Sequence, residues 1–481
     1  MITFLFSIVA LIVGYFTYGK FVEKVFGADP NRETPVKSMA DGIDFVELPK
    51  AKAFLIQFLN IAGTGPIFGA IAGAMWGPAA FMWIVFGCIF AGATHDYLVG
   101  MMSLRDKGKS VSEVIGDNLG NGVKQFMRGF SIILLILVGT VFIASPADIL
   151  KDLTGIDRGI LIAIIIVYYV AATVLPVDKI IGKIYPLFGA ALLIMAAGIM
   201  YGLLFEGYHI PELTFANVHP AGKSIFPYLF VSIACGAISG FHATQSPMVA
   251  RTLGNEREGR SVFYGAMITE GIVALIWAAA AMSFFGGLNG LAEVVSAPAS
   301  VVNQISSTMM GKVGGVLAVL GVVAAPISSG DTAFRSARLN LADIFNIKQG
   351  PIKNRFMLAI PLFACGIALT FIDFTIIWRY FAWANQTLAT IALWAGAAYL
   401  LQRNKNYFIA LIPALFMTVV VVTYILVAPE GLGGFLPFAD VATKEMFGII
   451  IGIIVSLSLG GLFFAKSKKY KGIITEEPIT D

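Results

Sequence analysis

The sequence predicts an all-α integral membrane protein: about thirteen transmembrane helices around a core of two inverted five-helix repeats, each repeat carrying one discontinuous helix. Three observations point there. First, 58% of the 481 residues are hydrophobic and only 13% charged, with a mean hydropathy of +0.83, against roughly 25% charged residues in soluble domains. So much apolar surface cannot be hidden in water without a larger charged skin, whereas a bilayer accepts it directly. Second, long apolar runs alternate with short loops whose positive charges segregate to one side. Third, two glycine- and proline-interrupted runs stand five spans apart.

A hydrocarbon core of about 30 Å needs about 20 apolar residues per helix. On that criterion the spans are 2–19, 52–73, 78–103, 128–147, 159–176, 185–205, 225–247, 262–286, 312–330, 356–373, 376–401, 407–428 and 445–465. The first run, Ile2 to Tyr18, has neither a basic N-terminal region nor a small-residue cleavage site and reads as a spanning helix rather than a signal peptide. Placing loop 20–52 in the cytoplasm puts Lys20, Lys24, Arg32, Lys37, Lys50 and Lys52 inside. Alternate loops then collect 27 of the 33 Lys and Arg residues on that side and leave 6 outside. The N-terminus is expected outside and the tail with Lys466, Lys468, Lys469 and Lys471 in the cytoplasm.

The second span reads Asn60-Ile61-Ala62-Gly63-Thr64-Gly65-Pro66-Ile67-Phe68-Gly69; the seventh reads Cys235-Gly236-Ala237-Ile238-Ser239-Gly240-Phe241-His242, followed by Pro247. Glycine and proline here free backbone groups that lipid cannot satisfy. A lone glycine pair is also what a kink or a close helix contact uses. Two breaks an odd number of spans apart run in opposite directions, as an inverted repeat requires. Spans 2 to 11 then form the core, and spans 1, 12 and 13 are peripheral. The chain divides into 1–51 (first helix and cytoplasmic loop), 52–205 and 225–401 (the two repeats), and 402–481 (two further helices and a basic tail). The external stretch 287–311, with Pro298, has the pattern of a lid over an outer vestibule. The internal stretch 331–355 carries a helical pattern from Ala337 to Ile347.

Each break exposes N–H groups at the start of its second half-helix and carbonyls at the end of its first. Pro66 sits where its missing donor costs nothing, and Ser239 is positioned as an N-cap. Two positive helix ends suit an anionic cargo such as a carboxylate, and free carbonyls suit a cation. Gly63, Thr64, Gly65, Ser239 and Gly240 are expected to shape the substrate-facing breaks, with polar contacts from His242, Gln245, Asn385 and Gln386. The clusters Thr244-Gln245-Ser246 and Asn385-Gln386-Thr387 equally suit bonds between helices. Ionisable residues in the spans are His95, Asp96, His242, Glu270 and, at an inner edge, Asp331; such groups need a partner or a function. Asp96 and Glu270 share a depth, and a carboxyl in lipid holds its proton more tightly, which a proton-coupled carrier needs. A satisfied structural carboxylate is the alternative for each. Ser328 and Ser329, with the carbonyls of Asn60 to Gly63, could form an oxygen-lined sodium site, although membrane serines commonly bond their own backbone.

Other functions lack a signal. The net charge of +4 lies in short loops and offers no basic face for nucleic acid. Cys88, Cys235 and Cys365 are far apart in apolar runs, without disulfide or zinc spacing. His95 and Asp96 are adjacent and point about 100° apart, so no metal site is expected there. No nucleophile elbow, phosphate loop or zinc-protease motif is present, so no enzyme and no cofactor beyond a coupling proton or sodium ion is expected.

Three stretches resemble the carbon starvation protein (CstA) family: Ile61 to Gly69; Ala91-Gly92-Ala93-Thr94-His95-Asp96-Tyr97; and the run from Ala234 to Pro247. The likeness extends from about residue 50 to 400. It departs at His95, where family members carry glutamine, and toward the C-terminal end, where the chain looks shorter. The resemblance implies a LeuT-like 5+5 fold of the amino acid-polyamine-organocation superfamily. It also implies ion-driven uptake of peptides or of a small carboxylate such as pyruvate through the bacterial inner membrane, associated with carbon starvation. The alternatives are a sodium-coupled amino-acid-type symporter, a channel, or a membrane-embedded sensor or enzyme. Beyond the substrate and membrane lipid, no partner is indicated.

Overall fold

The structure, a computed structural model, describes residues 1–41, 45–174, 177–214, 216–438 and 440–474, with side chains left out at 177–186 and 468. Lys179, Lys183 and Lys468, counted above on the cytoplasmic side, therefore have no described side chains, and tail residues 475–481 lie outside the described set. Every described regular element is helical. Besides single turns at Pro35–Ser38 and Ala74–Trp76, in chain order they are α1 (Ile2–Phe26), α2 (Lys50–Ala62), α3 (Gly65–Gly73), α4 (Ala79–Arg105), α5 (Val111–Leu119), α6 (Asn121–Thr154), α7 (Arg158–Val174), α8 (Val177–Phe205), α9 (Tyr228–Ser232), α10 (Gly240–Ala250), α11 (Glu256–Phe284), α12 (Leu288–Val294), α13 (Pro298–Phe345), α14 (Ile352–Leu369), α15 (Phe374–Gln402), α16 (Phe408–Val427) and α17 (Val441–Tyr470).

Among the described residues, nine helices are long and apolar enough to cross a membrane, and ten if the bent pair α2 and α3 counts as one span. Among the described residues, each of the thirteen apolar segments read from the sequence contains helix, interrupted from Ile233 to Ser239 in the segment 225–247. The loops gather at two ends in the alternation read from the sequence. At one end Arg105 bonds Glu256 and the carbonyl of Gly27, Leu48 N–H bonds Thr252, Arg251 bonds Gly108, and Gly472 N–H bonds Leu401. At the other, Trp76 bonds the carbonyls of Lys223 and Ser224, Ser224 bonds Glu445, Arg158 bonds Asp148 and Thr370, and Arg379 pairs with Glu430.

Burial separates centre from rim. In the most apolar stretch of α4, 89% of residues are buried, against 33% for α1 and 22% for α17. The helix expected at 312–330 is longer: α13 continues to Phe345, so the pattern from Ala337 onward is the same helix running on. Its polar end is sustained by Arg335, which donates to the carbonyl of Ala172 and to Asp331. The expected outer lid is α12 plus the first arm of α13, which turns at Gly311, where φ is 57° and glycine is the residue that tolerates it.

Three stretches widen to π-helical turns: Gly87–Gly92 in α4, Arg260–Tyr264 in α11 and Val319–Ala324 in α13. Such turns leave backbone groups free and re-aim the residues that follow. Asp96, Glu270 and Ser328 are among the residues that follow them.

Candidate functional site

The first break is a short hinge. α2 ends at Ala62, Gly63 takes φ −20° and ψ −135°, and α3 restarts at Gly65 with Pro66 in its first turn, bent by 48°. The second is a longer gap: α9 ends at Ser232, the chain runs without regular helix to Ser239, and α10 begins at Gly240. The two breaks lie against each other, because α3 presents a stripe of glycines to the second one. A Cβ at Gly65 would lie 2.4 Å from Cys235 Sγ, one at Gly69 3.1 Å from the carbonyl of Ser232, and one at Gly73 2.3 Å from Ile233. This is small-residue packing of membrane helices, used here to bring two broken backbones together.

The capping of α10 corrects the sequence reading. Ser239 occupies the N-cap position, but its side chain makes no cap bond. The role falls to Asn385 of α15, whose Oδ1 accepts from Phe241 N–H at 2.7 Å and from Ser239 Oγ at 3.1 Å. Helix α15 packs closely enough for this only because Gly240 lacks a side chain: a Cβ there would meet Asn385 O at 2.4 Å. The neighbouring Gln386 donates to the carbonyl of Phe230 on α9 at 2.6 Å. One helix thus holds both halves of the interrupted one. Asn385 and Gln386 bond between helices, the plainer of the two roles their sequence suggested.

The ionisable residues read from the sequence converge. Asp96 of α4 takes His95 Nδ1 at 2.7 Å on one oxygen and His242 Nδ1 of α10 at 2.8 Å on the other. His242 Nε2 lies 3.3 Å from Glu270 Oε2 of α11, within ion-pair distance but out of line for a hydrogen bond. His95 is 1% exposed and the other three are fully buried. Neither oxygen of Glu270 accepts a hydrogen bond from the protein. With Asp96 ionised, both Nδ1 atoms must carry their protons, because a carboxylate only accepts. The free Nε2 of His242 then faces a carboxylate, and two acceptors repel unless a proton sits on one of them. Neighbouring α4 and α11 are cross-tied by Tyr264 Oη to Ile89 O at 2.9 Å and by Cys88 Sγ to Met267 O at 3.3 Å.

Gln245 donates to Thr244 Oγ1 at 2.9 Å, its other end unpaired; Thr244 donates to the carbonyl of Phe241. Near the first break, Thr64 Oγ1 is met only by Ser145 Oγ, at 3.5 Å. Ser329 Oγ reaches the carbonyl of Leu59 at 3.4 Å and Ser328 Oγ bonds Ala325 O at 2.7 Å, while buried Asn60 keeps an unpaired Oδ1. One hydroxyl and one amide oxygen thus stand beside the end of α2.

Phe142 of α6 escaped the sequence reading. Its ring fills the space beside Gly63, 2.6 Å from where a Cβ would be, and meets the ring of Phe241 edge-on at 5.9 Å. It therefore touches both breaks. Cavities among the described residues lie elsewhere. One of about 560 Å³ is apolar, bounded by Trp83, Phe86, Phe230 and Phe416; one of about 430 Å³ is lined by Asp152, Asn303, Gln304 and Ser307.

Comparison with known proteins adds the family. A membrane protein of Haemophilus influenzae described as uncharacterised is 43% identical over 355 residues, covering 63% of this chain and 96% of that one. The peptide transporter CstA of Campylobacter jejuni is 31% identical, over 55% of this chain and 47% of its own. The pyruvate/proton symporter BtsT of Escherichia coli is 27% identical, over 59% of this chain and 49% of its own. Among solved structures, the inward-facing conformation of Mhp1 aligns with 89% of this chain and 95% of that one, at a TM-score of 0.49 and 14% identity. The family model described as carbon starvation protein CstA matches residues 1–155 and 132–316, more than half of the sequence, and the chain belongs to that family.

Proposed function

We propose that the protein is a proton-coupled secondary transporter that carries a small carboxylate, of the size and charge of pyruvate, by alternating access. That it is an ion-coupled membrane transporter and not an enzyme rests on its family and on relatives named as transporters. The observation that carries the proton is the chain Asp96, His242, Glu270: buried, hydrogen-bonded from Asp96 to His242, at ion-pair distance from His242 to Glu270, and unable to hold His242 Nε2 beside Glu270 without one proton more than a neutral imidazole and a carboxylate hold. Low effective dielectric makes that requirement stringent.

Coupling follows from chain order. Phe241 offers its N–H at the start of α10, where an anion is favoured, and His242, the next residue, belongs to the proton relay. Cargo that moves α10 against α4 or α11 changes how well His242 bridges the two carboxylates, and hence where the proton resides. Ser328 and Ser329 support a sodium site less well, since their hydroxyls bond the backbone carbonyls of Ala325 and Leu59, as serines in membrane helices commonly do.

A small cargo suits the breaks because a single phenyl ring, that of Phe142, spans the space between them. The peptide reading has its support in the peptide transporter relative. The inner membrane of a bacterium, an external N-terminus and a cytoplasmic C-terminus complete the reading, with the positive-charge bias as their support. The test is purified protein in sealed liposomes, offered labelled pyruvate or a dipeptide under separate proton and sodium gradients. Pyruvate accumulation driven by the proton gradient alone is expected. Dipeptide accumulation, or a sodium requirement, would overturn the corresponding part.

A further inference from the structure

We infer that the carboxamide of Asn385 stands in for the cargo's carboxylate, closing the anion site at the start of α10 until cargo displaces it; the inference rests on the transport reading above. Asn385 Oδ1 accepts from Phe241 N–H at 2.7 Å and from Ser239 Oγ at 3.1 Å, the bonds one carboxylate oxygen would make at a helix N-terminus. The second half of the same carboxamide is unsatisfied: Nδ2 has no partner although Asn385 is fully buried. A residue present only to cap α10 has no use for a buried, unbonded NH2, since Asp or Ser caps without one. The unbonded NH2 leaves the carboxamide held through its oxygen alone, so a carboxylate that takes those two donors has no further bond of Asn385 to break.

The energetic order is right for exchange. A carboxylate makes charge-assisted bonds to these donors, roughly twice as strong as those of a neutral amide oxygen, and gains from the positive helix end. A neutral stand-in keeps Phe241 N–H satisfied in the dry core of the empty carrier, where an orphaned donor would be costly, and still yields to the anion. An aspartate there would compete on equal terms, tethered at high effective concentration, and would not yield.

The experiment compares the wild type, Asn385→Ala and Asn385→Asp, purified in detergent, for equilibrium binding of labelled pyruvate, with hydrogen exchange of segment 234–247 as the check that α10 remains folded. Asn385→Ala leaves Phe241 N–H unpaired until cargo arrives, so it is expected to bind pyruvate about fivefold more tightly. Asn385→Asp is expected to bind at least about tenfold more weakly while keeping wild-type exchange protection. Weaker or unchanged binding by Asn385→Ala would overturn the inference and make Asn385 a cap or a direct cargo contact. So would wild-type affinity in Asn385→Asp. Pyruvate bound by the wild type but never accumulated in liposomes counts against the transport reading alone. Wild-type accumulation with Asn385→Ala binding unchanged counts against this inference alone.

Discussion

The two breaks do the same thing to the backbone and are built in opposite ways. The first is a hinge of Gly63 and Thr64 sealed by apolar packing: the Phe142 ring against Gly63, and the Cys235 sulfur against Gly65. Apart from its own backbone it meets two long hydroxyl contacts, Ser145 to Thr64 at 3.5 Å and Ser329 to the carbonyl of Leu59 at 3.4 Å. The second, from Ile233 to Ser239, is held by polar bonds from a different helix and places His242 between two carboxylates. Packing defines one and hydrogen bonds define the other. Close-packed contacts resist small displacements, whereas hydrogen bonds exchange partners at nearly constant energy when another partner is offered. On the proposed transport reading, the first break is the floor of the site and the second its moving, titrating wall.

The largest expected effect is on the second wall. Asp96→Asn and Glu270→Gln each remove a titratable carboxyl from the relay, and each should abolish accumulation driven by a proton gradient while counterflow exchange of labelled cargo persists. Exchange needs cargo to cross but no net proton movement, so the two assays separate coupling from folding. Unchanged accumulation in both variants would take these carboxylates out of the coupling role and erase the contrast between the walls.

A middle-sized effect is expected on the floor, and on stability rather than coupling. Gly65→Ala puts a Cβ 2.4 Å from Cys235 Sγ, overpacking a site with no slack. A loss of about 1–3 kcal/mol is expected, seen as a lower melting temperature in detergent. Adding Cys235→Gly, which removes the opposing side chain, should restore much of it. Loss of proton coupling at unchanged stability would mean that the floor also moves.

Much of this was legible in the sequence, and the limits have physical causes. The breaks could be read because glycine and proline in mid-membrane have few other uses. Asp96, His242 and Glu270 could be singled out because charge in lipid is rare. Their pairing could not, since Asp96 and His242 are separated by 146 residues and only the fold joins them. The π-helical turns before Asp96 and Glu270 leave no mark in composition. Phe142 is one of 38 phenylalanines in a chain made of apolar runs, so nothing distinguished the one between the breaks. Asn385 was visible as a polar residue in a span, but whether its carboxamide meets cargo or backbone depends on how closely α15 approaches Gly240.

The smallest expected effect is the sharpest check on the comparison. Thr64 lies at the first break in sequence as Ser239 does at the second, and each has a hydroxyl in a fully buried residue. Ser239 donates to Asn385 at 3.1 Å, whereas the hydroxyl of Thr64 is met only by Ser145 at 3.5 Å, the edge of bonding distance. Thr64→Val keeps the branched shape and removes the hydroxyl, so at most a weak bond of about 0.5–1 kcal/mol is lost, and uptake should stay within about twofold of wild type. If the first break were a cargo-binding wall equal to the second, a missing hydroxyl there would leave a cargo oxygen unpaired, and the apparent affinity for pyruvate would fall about tenfold or more. A twofold change keeps the floor a floor, and a tenfold rise in KM makes the two breaks equal partners in binding.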